Sequence, residues 1–204
     1  MANTAFQFGF QPFQSASGVV PNFGFSRRVI AYNYATALYR GDPVALNSSG
    51  NVVVATSQSA PLLGIFWGCE YVTNVPLTAL PVKSKYWPGV ALSNSATVVT
   101  AWVIEDPDVL FLAAEVGTTA ALTQANIGNN VQWVAGAGGN TATGISSYCI
   151  DDAHITTTIT LPFQIVDLYS TTAPPGVNGS AASLYNWGIV KMNYTQRNYG
   201  SIGI

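Results

Sequence analysis

The chain has few charged residues for its length. Asp, Glu, Lys and Arg make up 8% of its 204 residues, against about 25% in an ordinary soluble domain. The apolar fraction, 49%, is ordinary, so Ser, Thr, Asn, Gln and Gly stand where charged residues usually do. Because a monomer relies on dispersed surface charge to stay apart from its neighbours, this shortage favours a surface that partner chains cover. A rigid extracellular β-protein has a similar composition and remains an alternative.

Further shortages argue against whole classes of function. Seven Lys and Arg against nine Asp and Glu form no basic surface for nucleic acid or an anionic membrane, so we expect neither as a partner. No apolar run approaches the ~18 residues of a membrane-spanning helix, and no signal-peptide pattern opens the chain. Cysteine is limited to Cys69 and Cys149, which we predict to be buried thiols, with one disulfide as the alternative.

The dominant pattern of the sequence is short apolar runs separated by turn residues, and the clearest runs lie between Gly41 and Phe66. Val and Ile suit a pleated strand, whereas the Gly, Asn and Ser residues between the runs suit chain reversals. These runs predict a hairpin followed by a third strand: Val44–Leu46, Val52–Ala55 and Leu62–Phe66.

Similar runs continue along the chain and predict an all-β fold, an antiparallel β-sandwich or barrel (jelly-roll-like or similar) with extended N- and C-terminal arms. We divide the chain into an aromatic N-terminal arm (1–28), a β-rich core (29–169) and a Pro/Gly/Ser linker with a C-terminal arm (170–204). One helical turn is predicted in Leu122–Ile127. The later predicted strands are Val98–Glu105, Val109–Ala114, Val131–Ala135, Ile155–Pro162 and Phe163–Tyr169.

The two ends of the chain are rich in aromatic residues and poor in charge. The phenylalanines near the N-terminus are largely spaced with period two, which places their rings on one side of an extended segment. This segment is either a strand of the chain's own core or an arm laid across a neighbouring subunit. The adjacent cations Arg27 and Arg28 form either a solvated loop edge or a clamp on a partner's carboxylates. The candidate interface residues are Phe6, Phe8, Phe10, Phe13, Phe23, Phe25, Arg27, Arg28, Tyr194, Arg197 and Tyr199.

The segment Cys149–His154 is the first of two groups that invite a catalytic or metal-binding interpretation. It holds a thiol, two carboxylates and the only histidine. In a regular strand, however, Cys149 and Asp151 would lie on the opposite face from Asp152 and His154. Zinc would also require a second Cys/His cluster, which the sequence lacks. We therefore predict a turn between strands here.

The carboxylates Glu105, Asp106 and Asp108 form the second group. They flank Pro107 and are typical of a turn, although a glycosidase uses paired carboxylates facing a cleft, and a neighbour's arginine offers a third interpretation. The glycine-rich run 136–144 lacks the dinucleotide fingerprint. The sequence therefore predicts no enzymatic activity, no cofactor and no metal site.

Four segments resemble a known family. The segments Gly41–Val44, Gly50–Ala55, Pro61–Phe66 and Asp106–Phe111 are similar to the decoration (cement) and related virion structural proteins of tailed-bacteriophage heads. The resemblance implies a β-rich protein on the capsid exterior, often trimeric, bound where major capsid proteins meet.

The expected function is thus a capsid decoration protein that stabilises a phage head by bridging major capsid protein subunits. Its partners would be the major capsid protein and further copies of itself. The alternatives are another virion part, such as a head-fibre base or tail component, and a carbohydrate-binding β-sandwich that uses exposed Trp and Tyr as sugar platforms.

Overall fold

The computed structural model describes residues 7–17, 24–73, 80–89, 98–169 and 184–196, and within them the chain is built of β-strands. A short 3-10 helix, Gln124–Asn126, lies where one helical turn is predicted. The strands are β1 Gln11–Ser15, β2 Phe25–Ile30, β3 Leu38–Tyr39, β4 Pro43–Leu46, β5 Val52–Val54, β6 Gly64–Val72, β7 Pro81–Ser84, β8 Tyr86–Trp87, β9 Val99–Ile104, β10 Val109–Ala114, β11 Asn130–Val134, β12 Cys149–Thr156, β13 Phe163–Tyr169 and β14 Trp187–Met192.

Two antiparallel sheets pack together as a sandwich. Sheet I has the strand order β1-β10-β14-β13-β11-β12, and sheet II the order β2-β9-β6-β4-β5, with β7 also paired to β6. A separate two-stranded pair joins β3 and β8. The outer strands β2 and β5 of sheet II approach each other without pairing, so this sheet curls but does not close. The all-β sandwich prediction is confirmed, and the barrel alternative is not adopted.

The predicted hairpin between Gly41 and Phe66 is confirmed. Strand β4 pairs with β5 and with β6, both antiparallel. In the β4–β5 turn, the side-chain oxygen of Asn47 accepts hydrogen bonds from the backbone N–H groups of Ser49 and Asn51, each at 3.0 Å. These bonds satisfy the reversing backbone, which is why an Asn-rich segment separates the two apolar runs.

Strand β6 of sheet II is covered on both faces because a hydrophobic core lies against each. Ile65 and Ile104 belong to the core between the sheets, whereas their neighbours Phe66 and Val103 belong to a second core. Successive side chains of a strand point to opposite faces. Trp87 of the β3–β8 pair is fully buried in that second core. This double burial explains why β6 is an almost continuous apolar run.

The turn at Asp106 and Asp108 carries the chain from one sheet to the other. Strand β9 lies in sheet II and β10 in sheet I. The side chain of Asp106 accepts a hydrogen bond from the backbone N–H of Asp108 at 2.9 Å, and its carbonyl accepts one from Val109 at 3.3 Å. The turn interpretation of these carboxylates is confirmed, and the turn itself connects the two layers.

The N-terminal segment is built into the sandwich where the structure describes it. Strand β1 is the edge of sheet I beside β10, and β2 is the edge of sheet II beside β9. The backbone N–H of Phe10 donates to the carbonyl of Gly41 at 3.1 Å, while the N–H of Gly41 donates to Phe66 at 2.8 Å. Gly41 has φ +95, so the central stretch and the N-terminal segment meet at a residue in a conformation that favours glycine.

The turn predicted at Cys149–His154 is wrong, and so is the strand predicted at Ile155–Pro162. Residues Cys149–Thr156 form strand β12, and the chain turns at residues 157–162. Regular side-chain alternation fails in β12 because this strand carries extra residues relative to its partner. Its partner β11 pairs Val131 with Ile155 and Trp133 with Ile150.

Candidate interaction surface

Two of the predicted interface phenylalanines, Phe8 and Phe10, are buried within the chain. Phe10 is fully buried in the core between the sheets and stacks on Phe163, with ring centroids 4.3 Å apart. Phe8 packs edge-on against Trp187 at 5.2 Å. Their period-two spacing therefore serves the chain's own core, the first of the two alternatives for this segment.

Phe13 and Phe25 remain accessible, with 38% and 42% of their surface exposed. Phe13 lies on β1 and packs edge-on against Tyr169 at 5.5 Å. Phe25 lies on β2 and stacks on Trp67 at 5.8 Å, with the ring planes 16° apart. The two rings lie on different sheets, so the structure does not bring them together.

Of the C-terminal candidates only Tyr194 lies among the described residues, and two of the N-terminal phenylalanines also lie outside them. Phe6, Phe23, Arg197 and Tyr199 lie outside the described residues. Tyr194 is half-buried, and its carbonyl accepts a hydrogen bond from the N–H of Leu62 at 3.1 Å. This part of the C-terminal segment is therefore attached to the connection between β5 and β6.

The adjacent cations Arg27 and Arg28 have different roles. Arg28 donates from Nε to Oε1 of Glu105 at 2.5 Å and from Nη2 to Oε2 at 2.7 Å. The Glu105 side chain is 1% exposed and that of Arg28 29%, and the hydrogen bonds to Glu105 raise the pKa of Arg28. Glu105 thus accepts an arginine of its own chain rather than a neighbour's. Arg27 is exposed and takes part in no ion pair within the described part of the chain.

Strand β2 alternates between exposed and covered side chains. Phe25, Arg27 and Val29 are exposed, whereas Ser26 and Arg28 are half-buried. Directly opposed residues of an antiparallel pair lie on the same face, and Arg27 is opposed to Trp102 and Val29 to Thr100. We call these residues the β2 surface: Phe25, Arg27, Val29, Thr100 and Trp102.

Trp102 lies against a glycine on the neighbouring strand. It is opposed to Gly68 of β6, and a Cβ atom placed on Gly68 would lie 3.2 Å from Cε3 of the Trp102 ring. Glycine therefore leaves room for the ring to lie across the sheet. Sequence reasoning missed Trp102 because the register that pairs it with Gly68 is not visible in the sequence of either strand.

A second aromatic contact links Phe25 of the β2 surface, through Trp67, to the half-buried cation Arg40. The Arg40 guanidinium carbon lies 4.0 Å from the ring centroid of Trp67, the residue on which Phe25 stacks. Nε of Arg40 also donates to the Trp67 carbonyl at 2.9 Å. Burial lowers the pKa of Arg40, and the ring and the carbonyl compensate for lost hydration. Trp67 therefore contacts both a cation and the exposed Phe25.

The group at Cys149–His154 differs from its predicted arrangement. The extra residues in β12 bring His154 Nδ1 to 2.7 Å from Oδ2 of Asp151, although regular strand alternation would separate them. Asp152 points inward and accepts the N–H groups of Thr118 and Thr119 at 2.8 Å and 3.0 Å. Asp152 therefore holds a loop in place.

The thiols are unsuited to nucleophilic chemistry. Cys69 and Cys149 are both free and buried, which confirms the prediction of buried thiols. Burial raises the pKa of each thiol to about 12. The reactive thiolate is therefore scarce at neutral pH.

Neither a metal-binding cluster nor a membrane-spanning helix is found in the described ranges. No group of three or more His, Cys, Asp or Glu side chains there is arranged to hold a metal ion. No helix in those ranges is long and apolar enough to cross a membrane.

The β2 surface is thus the best-defined candidate site, since it combines the exposed ring of Phe25, the half-buried ring of Trp102, an exposed cation and the edge of a sheet. Comparison with known proteins adds no relative: no family model, curated protein or solved structure matches the chain.

Proposed function

We propose that this protein is a structural component of a virion, a capsid decoration protein that bridges major capsid protein subunits on the head exterior. The β2 surface is the proposed contact, and the protein acts by burying it across a seam between subunits. The resemblance of the four segments described above supports this proposal, and three of them lie in the region of β4, β5 and β6 in sheet II.

The observation that carries the proposal is an accessible apolar surface in a chain that is 8% charged. Single exposed apolar residues are normal, but here Phe25 and Val29 stand two strand positions either side of Arg27 on one edge strand. A free surface of this kind invites association. The exposed large apolar residues of the described part are Phe13, Phe25, Val29, Tyr32, Leu80, Val98 and Ile159.

Burial of this surface would stabilise a shell through repetition. Each buried Å2 of apolar surface contributes about 25 cal/mol, and a standard interface buries ~1,600 Å2 in total. Separating two capsid subunits would re-expose that area at every seam. A shell with many seams gains resistance to internal pressure even when one contact is modest.

The test is to mix purified protein with empty capsids of the virus whose genome encodes it, and to measure both mass in solution and co-sedimentation. We expect binding that saturates at a fixed number of copies per capsid, and a higher temperature of capsid disruption. Phe25→Ser should weaken binding, whereas Ile159→Ser, at a more exposed residue outside the β2 surface, is the matched control. A stable monomer that ignores capsids would overturn the proposal.

A carbohydrate-binding module is the second candidate, and the Trp102 ring favours it. The half-buried Trp102 ring lies on the same face as Arg27 and Thr100, and an aromatic ring with polar neighbours suits the apolar face of a pyranose. Affinity electrophoresis in a panel of soluble polysaccharides tests this candidate. Retardation that Trp102→Ala abolishes would support it, and unchanged migration in every polysaccharide would dismiss it.

A further inference from the structure

We propose that the outer edge of strand β2 binds an extended segment of a partner protein by strand addition, and that this segment places a carboxylate opposite Arg27 with apolar side chains two positions away on each side. The inference rests on the proposed function only for the source of the segment, which would be the major capsid protein.

The backbone of β2 is paired on one side only, by β9, and β5 approaches its other side without forming a ladder with it. Its six residues pair with β9 in an uninterrupted register from Phe25 to Ile30. Within the described residues, its other edge makes no backbone hydrogen bond. An edge of this kind presents a row of donors and acceptors that a further strand can satisfy.

The other edges of the described sheets are protected. Strand β1 contains Pro12 and an irregular register, and β12 carries the extra residues already described. At β5, the N–H of Val54 donates to the hydroxyl of Tyr34 at 2.9 Å. Strand β7 begins with Pro81 and exposes Lys83. Proline, irregular register and charge are the usual protections of sheet edges, and on β2 only Arg27 provides one.

A second copy of this chain is a poor occupant. If two β2 strands paired antiparallel along Phe25–Val29 with their exposed faces together, the two Arg27 side chains would lie opposite each other, and like charges so placed are destabilising. A register shifted by two residues avoids this repulsion but leaves only three residues paired within that span. Arg27 therefore opposes self-pairing while leaving the edge open to a different strand.

Charge complementarity identifies the preferred partner. Arg28 already binds Glu105, whereas Arg27 has no carboxylate among the described residues. A carboxylate opposite Arg27 converts the only protection of this edge into an attractive cross-strand pair. Phe25 and Val29, two residues away on each side, would then oppose apolar side chains. The partner segment should therefore have Asp or Glu at its centre and an apolar residue two positions away on each side, with any residue between them.

The first experiment uses acetyl-Thr-Val-Thr-Glu-Thr-Val-Thr-amide as a probe at millimolar concentration, followed by NMR of the 15N-labelled protein. We expect shifts concentrated in the amides of residues 25–30. Arg27→Glu should weaken binding about tenfold, since one attractive cross-strand charge pair becomes repulsive. The peptide with Lys in place of Glu should bind the Arg27→Glu variant more tightly than it binds the wild-type protein. Shifts located elsewhere, or no preference for charge, would overturn the inference.

Two N-methylated versions of the peptide test the backbone contribution directly. One carries the methyl groups on its odd-numbered amides and the other on its even-numbered amides. Because an added strand uses only one of its edges, one version should lose binding and the other should keep it. Equal binding by both versions would show that backbone pairing is not involved.

Capsid binding separates this inference from the proposed function. Wild type, Arg27→Glu and the control Lys83→Glu, an exposed cation on β7, are each tested by co-sedimentation with the same capsids. Loss of binding in Arg27→Glu alone supports strand addition. If wild type fails to bind, the proposed function is wrong, whatever the peptide result. If wild type and Arg27→Glu bind equally, the function stands and strand addition is wrong.

Discussion

The guanidinium of Arg28 on β2 binds both carboxylate oxygens of Glu105, the residue that follows β9. This pair joins the edge strand of sheet II to the point where the chain leaves that sheet for sheet I. Two parallel hydrogen bonds fix the orientation of both groups. Arg28 is thereby committed to the fold, while its neighbour Arg27 on the opposite face is exposed and forms no ion pair with any described residue.

The Arg28–Glu105 pair predicts that substitutions at the adjacent residues Arg27 and Arg28 lower the free energy of unfolding by different amounts. Arg28→Gln leaves the buried Glu105 carboxylate without its cation, which we expect to lower the free energy of unfolding by about 2–4 kcal/mol, allowing for the partial exposure of Arg28. Arg27→Gln, at an exposed site, should change it by less than about 0.5 kcal/mol. Urea unfolding followed by tryptophan fluorescence measures both. Equal effects would mean that the pair contributes little to stability.

Because the carboxyl group of Asp42 is buried, we expect the free energy of unfolding to fall as pH rises from about 4 to about 6. Burial raises the pKa of Asp42 to about 6 from its ordinary 3.8. The folded chain therefore binds more protons than the unfolded chain between these values, and each pKa unit corresponds to about 1.4 kcal/mol. Above pH 6 the charged carboxylate lowers stability by on the order of 3 kcal/mol relative to pH 3.

Asp42→Asn tests this assignment, because the amide oxygen can still accept the N–H of Tyr39, which lies 2.8 Å from the carboxylate. Unfolding measured from pH 4 to 7 should show a flatter dependence in this variant. Asp108→Asn, at an exposed carboxylate, should keep the wild-type slope. An unchanged slope in Asp42→Asn would assign the pH dependence to other groups, such as Glu115, whose pKa burial also raises.

Gly41 and Gly50 allow the effect of a positive φ to be distinguished from the effect of a close contact at the glycine. Both have positive φ, +95 and +74, so alanine strains either backbone by about 1–2 kcal/mol. A Cβ atom on Gly41 would also lie 3.0 Å from the backbone nitrogen of Phe10, whereas one on Gly50 meets nothing within 4 Å. Gly41→Ala should therefore lower the free energy of unfolding more than Gly50→Ala. Thermal unfolding of the two variants compares them, and equal losses would exclude a role for the Phe10 contact.

The buried thiols predict slow reaction with a thiol reagent. Cys69 and Cys149 are buried, with pKa values of about 12. At pH 8, Ellman's reagent should react with the folded protein only as fast as the chain opens, and with both thiols at once in denaturant. Rapid reaction of one thiol in the native protein would contradict its burial.

Local patterns predicted the strands well where chain reversal and apolar runs agree. The β4–β5 hairpin is an example, because Asn47 and the following residues specify the turn and the flanking valines specify the strands. The turn at Asp106 was equally visible. Its connection of two different sheets was not, since a turn signal does not say whether the next strand pairs with the last.

Three features depended on information that no short segment contains. The spacing of Phe8 and Phe10 identified an extended segment with one apolar side, but a ring that fills its own core and one that fills a neighbour's have the same spacing. Strand β12 was missed because its extra residues, including Asp151 and His154, break the alternation. Trp102 became a candidate only through its register with Gly68.

The order β1-β10-β14 has a mechanical consequence. Strands β1 and β14 are each antiparallel to β10, so they run parallel to each other on its two sides. A tensile load between the N-terminal end of β1 and the C-terminal end of β14 would drag them in opposite directions along β10. The backbone hydrogen bonds of both ladders would then resist in shear, all together, instead of unzipping one by one. A molecule anchored at those two points would therefore resist lateral stress until both ladders broke together.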